Sequence, residues 1–177
     1  MKAKTIYFMI LPLFAFACKS NNVSTEVKDV FSIYLVKGSN LSYASQKPSL
    51  NDFVLEETPI LSINSITSYK WNTHQIAFPS STKEQLKVRE PLIHYLFVTV
   101  ADDKRIYWGM FLDDADSYGC QNPVIRLLPR NPNASCIPEG FMIDRAYPVY
   151  SGNPSDKDIR NDDRIYNALK ASGKLVQ

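Results

Sequence analysis

Histidine occurs twice, cysteine three times and glycine six times in 177 residues. Six glycines standing singly cannot form the glycine-rich turns that cradle phosphate or a dinucleotide, and no Gly-x-Ser-x-Gly is present to lift a serine onto a nucleophile elbow. A cluster of basic residues is missing too. The 20 Lys and Arg face 18 Asp and Glu, and Lys2 and Lys4 fall in a leader expected to be removed, which leaves 18 against 18. A chain with no net charge and no basic cluster lacks the footprint that phosphate neutralisation requires, so nucleic acid is not expected as a partner. No apolar run is long enough for a bilayer: Ile6–Ala17 is broken by Pro12 and falls short of the roughly 20 residues a spanning helix needs.

What is present describes one folded domain behind a leader. With 45% hydrophobic and 21% charged residues, the composition is that of a globular protein, and the length suits a single core. Residues 1–17 carry two lysines and then about a dozen apolar residues, the form of a secretory signal peptide. Cys18 directly after Ala17 makes the segment resemble a bacterial lipoprotein signal. That resemblance implies cleavage before Cys18 and a diacylglycerol on its thiol. Residues 18–28 then read as the lipidated cysteine and a polar, flexible tether, and 29–177 as the domain. The expected location is the bacterial cell envelope, lipid-anchored and facing an extracytoplasmic space such as the periplasm. The membrane is then a partner through the lipid.

Cysteine arithmetic agrees with this address. Lipid on Cys18 leaves Cys120 and Cys136 as the one available intramolecular disulfide, in a compartment that permits it. A loop of this length would contribute about 3 kcal/mol. A thiol nucleophile or a metal pair is the alternative, but the spacing matches neither a compact zinc motif nor a thiol-enzyme signature.

Hydrophobic periodicity places a first strand at Val30–Val36, a loop over Leu41–Asp52, and short apolar runs at Phe53–Leu55 and Ile60–Ile66. Ile66–Phe78 predicts a hairpin turning at Trp71, Asn72 and Thr73. Ser81 with Glu84 reads as a capping box opening a short helix that Pro91 stops. His94–Val100 and Arg105–Leu112 predict a second hairpin around Ala101–Lys104, apolar enough for both faces to be covered, and Val124–Leu128 a further strand. The last helix opens near Asn161 or Asp162 and closes at Gly173, with acid in its first turn and lysine near its end. The order β, ββ, α, ββ, β, α implies an α+β fold: a mainly antiparallel sheet with two short helices, one of them C-terminal.

Few residues offer chemistry. His74, beside Tyr69 and Trp71 at the hairpin, is a candidate for binding or for titration near neutral pH, or else a packed turn residue. Asp113, Asp114 and Asp116 supply oxygens that a hard cation prefers. Tyr118 and Ile125, however, stand where a calcium loop needs ligands, so a solvated acidic turn is the plainer reading. No cofactor is implied. Two functions follow: a non-enzymatic binding or interaction module with Tyr69, Trp71 and His74 at its contact surface, or an envelope hydrolase joining His74 to the Asp113–Asp116 loop.

FSIYL (31–35), LEETPILSINSITSYKWNTHQIAF (55–78), IYWGMF (106–111) and DIRNDDRIYNALKASGKL (158–175) together resemble a family of small bacterial lipoproteins. Their domain is similar to the head subdomain of the first periplasmic domain of the protein-export membrane protein SecDF. The resemblance implies an α+β module that contacts polypeptide. It brings no catalytic residues. The bundle of transmembrane helices that drives export in SecDF has no counterpart in this sequence.

Overall fold

The computed structural model describes residues 30–39, 49–113, 115–128 and 133–177. The leader, Cys18, the tether and Asp114 lie outside them. No helix among the described residues is long and apolar enough to cross a membrane.

Among the described residues nine strands form one sheet: β1 (Phe31–Leu35), β2 (Leu61–Ser62), β3 (Ser68–Lys70), β4 (Gln75–Ala77), β5 (Leu96–Ala101), β6 (Lys104–Asp113), β7 (Val124–Leu127), β8 (Gly140–Asp144) and β9 (Leu175–Val176). Their order in space is β2-β1-β5-β6-β7-β8-β4-β3-β9. Two helices, α1 (Ser80–Val88) and α2 (Asp163–Ala171), complete the α+β class. The sheet is mixed, because β7 runs parallel to β6 and β9 parallel to β3, while the other pairings are antiparallel.

The sheet curls on itself. Phe31 of β1 and Tyr69 of β3 stand near opposite ends of the strand order, yet their rings meet edge to face at 6.0 Å. Alternate residues on every strand point into the curl, and Phe97, Phe111, Phe141 and Phe78 form a chain of edge contacts at 5.2–5.8 Å across it. Ile165, Ala168 and Leu169 of α2 are buried in the same core. This helix keeps its expected ends: Asp162 is the N-cap, accepting from the Arg164 N–H at 2.9 Å, and Gly173 takes a positive φ of 69° just beyond it.

A second core lies on the outer face. Val36, Leu96, Val98, Met110 and Leu112 are buried there under a strap of residues 49–56 that carries Phe53 onto Trp108. The Lys37 N–H to Val54 carbonyl bond (2.8 Å), the Glu56 N–H to Leu35 carbonyl bond (2.9 Å) and an Arg105 guanidinium bond to the Leu50 carbonyl (2.9 Å) hold the strap. The β5–β6 hairpin is therefore apolar on both faces for a physical reason. It turns at Asp102 and Asp103, both with positive φ, a conformation that the short Asp side chain tolerates.

Two details differ from expectation. The capping box does not form: Pro79 is the N-cap of α1 without a side-chain bond, and Glu84 instead takes the Lys87 ammonium at 2.6 Å. Strand β8 fills a stretch in which no element is predicted, although Phe141 and Ile143 alternate inward against exposed Met142.

Candidate functional site

The two histidines occupy different places, and each departs from the sequence reading. Strand β3 ends at Lys70, Trp71–Thr73 form a single 3₁₀ turn, and His74 reverses the chain into β4 with φ 52° and ψ 37°. That left-handed corner turns the imidazole inward. Its Nδ1 and the Tyr69 hydroxyl are hydrogen-bonded at 2.9 Å, and its carbonyl accepts from the Ile143 N–H at 3.1 Å. Tyr69 is 0% exposed and His74 4%, so neither presents a surface. Of the three residues expected at a contact surface, only Trp71 retains partial exposure.

Beside this pair sits a salt bridge. Arg160 holds Asp158 through Nε and Nη2, the latter at 2.5 Å, and donates from Nη1 to the Ile143 carbonyl. Burial, then the Arg160 cation, depress the His74 pKa to about 4, so the ring is neutral near pH 7. Burial also pushes the Tyr69 phenol up, and raises that of Tyr107 to about 12. For Asp158 burial acts upward, but the hydrogen bonds and charge of Arg160 prevail and hold its carboxyl low.

The acidic loop meets His94, not His74. His94 also has positive φ (70°), and its N–H donates to the Phe111 carbonyl at 2.8 Å. Its Nε2 lies 2.7 Å from Asp116 Oδ1, and the Tyr118 ring stands edge-on at 5.7 Å. The other Asp116 oxygen accepts from the Asp113 N–H at 3.0 Å, and Asp113 Oδ1 accepts from the Ala115 N–H at 3.0 Å. These carboxylates satisfy the turn's own backbone. Among the described residues no three His, Cys, Asp or Glu side chains are grouped to hold a metal. The expected meeting of His74 with the acidic loop is therefore not formed; Asp116 pairs with His94 instead. The hairpin register carries a trace of it: Leu96 pairs with Met110, so His94 stands where the strand after Met110 runs out into the acidic loop.

Cys120 and Cys136 are free thiols here, and the expected bridge is not formed. Cys120 is buried in the outer core and bridges to Tyr147, whereas Cys136 packs against the inner core and donates its N–H to Glu90 Oε1 at 2.7 Å. The sheet separates them.

Trp71 connects the interior to the surface. It packs edge-on against His74 (5.7 Å) and against Tyr166 of α2 (5.1 Å), a residue that the sequence reading did not select. Tyr166 in turn lies 5.9 Å beneath the Lys170 ammonium. The result is a partly exposed aromatic ledge backed by buried Tyr69 and His74. No family model, curated protein or solved structure matches the chain.

Proposed function

We propose that the chain is a non-enzymatic interaction module, held in the bacterial cell envelope by lipid on Cys18 and facing an extracytoplasmic space, and that it meets a polypeptide partner at the Trp71–Tyr166 ledge. The observation that carries this reading is the seating of Trp71. An indole fixed by three aromatic neighbours loses little freedom on contact, which is what favours aromatic anchors at interfaces. The sequence segments that resemble the SecDF head subdomain point in the same direction.

A second reading, an envelope hydrolase, is favoured by the His94–Asp116 dyad alone. In it the carboxylate orients the imidazole, which would take a proton from an attacking water. One experiment separates the two. A photo-crosslinking amino acid in place of Trp71, in the full-length protein in its native membrane, should give a discrete polypeptide adduct, while His94→Ala leaves adduct formation intact. Absence of an adduct, together with ester or peptide hydrolysis abolished by His94→Ala, would establish the hydrolase instead.

A further inference from the structure

The ledge lies at the end of a sheet edge, and the charged side chains along that edge are lysines. Strand β9 is last in the strand order and pairs on one side with β3, through Tyr69 opposite Leu175 and Lys70 opposite Val176. Its other side pairs with nothing among the described residues. Side chains alternate along a strand, so Lys70, Lys174 and Val176 stand on the outer face while Tyr69 and Leu175 point inward. Lys170, on α2, stands over Tyr166 on the other side of the ledge. None of the three lysines has an ion-pair partner among the described residues; Asp163, exposed in the first turn of α2, is the one unpaired carboxylate on the neighbouring helix face.

Resting on the reading above, we propose that this edge takes an extended acidic segment of the partner as an added strand. Its main chain would bond to β9, its carboxylates would face Lys174 and Lys70 on the outer face, and its alternate, apolar side chains would fall on the inner face beside Leu175, toward Trp71. Each element of the site selects against other partners. Unpaired strand N–H and C=O groups are matched by another polypeptide backbone, which a lipid surface does not offer. Excess ammonium groups select carboxylates and repel a basic chain. Adjacent residues on an added strand point to opposite faces, one toward the lysines and the other toward Leu175 and Trp71, so the preferred segment alternates acidic and apolar positions.

The test uses the full-length protein in neutral detergent. Its probes are a fluorescein-labelled peptide of alternating Glu and Val, the same peptide with Lys for Glu, and phosphatidylglycerol vesicles. Anisotropy should report binding of the acidic peptide over the basic one, weakening with added salt. The double variant Lys70→Glu, Lys174→Glu should lower affinity about tenfold or more and favour the basic peptide. Both positions are on the outer face, so an unchanged thermal transition checks the fold. Equal affinity for both peptides, no peptide binding, or indifference to the double variant overturns the proposal; vesicle binding without peptide binding assigns the patch to a lipid surface instead. A Trp71 crosslink to a partner lacking an acidic segment removes this inference and leaves the binding-module reading intact, whereas failure to crosslink at all removes that reading.

Discussion

The Tyr69 hydroxyl and His74 Nδ1, hydrogen-bonded at 2.9 Å, tie the two sides of one hairpin turn together inside the core. Burying an imidazole there binds the stability of the fold to its protonation state. It also fixes the platform on which Trp71 rests, so that packing energy and surface geometry share the same residues.

Acid should loosen the protein through His74. An unfolded histidine titrates near 6.5, but the folded ring accepts a proton only near pH 4. Between these values the unfolded chain binds a proton that the folded chain refuses, so stability falls as pH drops through this window, by up to about 3 kcal/mol. Above the window His74 is neutral in both states and contributes no slope. Asp158, whose carboxyl is held low, acts at lower pH, losing its contribution as it protonates. Urea midpoints of the wild type from about pH 7 to pH 4 should decline, and His74→Gln should flatten the decline while starting lower. Identical slopes in the two proteins would mean that His74 is not the titrating group.

Gly109 marks the place where β6 begins to accept β7. A Cβ at this position would lie 2.2 Å from the Pro123 carbonyl oxygen and 2.4 Å from Phe97 Cζ, one of them backbone and the other a packed ring. Gly109→Ala should therefore cost about 2–4 kcal/mol in a urea titration. Gly38 is the control: it has φ +63° with open space around its Cα, so Gly38→Ala meets strain without collision and should cost about 1 kcal/mol. A Gly109→Ala loss no larger than the Gly38→Ala loss would show that β7 can move away at little cost.

The elements legible in the sequence are those whose signal is local. The β3–β4 hairpin, the β5–β6 pair and α2 show their periodicity or their caps within about a dozen residues, and they stand where expected. What depends on distant partners is not legible. The parallel pairings of β6 with β7 and β3 with β9 have no local signature, and two-residue strands such as β9 exist only because Tyr69 donates to the Lys174 carbonyl. At the candidate site, proximity in sequence misplaced the chemistry: Tyr69 and His74 do touch, but inward, and the acidic loop after β6 meets His94, beside the paired strand β5, rather than His74. The curl of the sheet decides which aromatic residues face water, and periodicity carries no information about that curl.

Thiol chemistry should follow the two cores. With Cys120 in the outer core and Cys136 against the inner one, both should be free and alkylate fully in denaturant without prior reduction. In the native state Cys120 should react slowly, because burial raises its pKa and limits access. Mass spectrometry of alkylated protein extracted from its native membrane reads this directly. A mass two hydrogen atoms lighter, with neither cysteine labelled, would reveal a bridge.

Membrane retention should depend on Cys18. On the proposed reading the anchor is the acyl chains on Cys18, and an uncut leader is the alternative. The two are distinguishable. Each buried methylene contributes about 0.8 kcal/mol, so two or three chains hold the protein through a high-salt wash. Cys18→Ser should move the protein to the soluble fraction if an alternative cleavage frees it. If the leader stays, the variant should retain an amino terminus beginning at Met1, while the wild type begins at a Cys18 heavier by its acyl groups. Wild-type protein with an unmodified Cys18, still bound to membrane after the wash, would show that another part of the molecule does the anchoring.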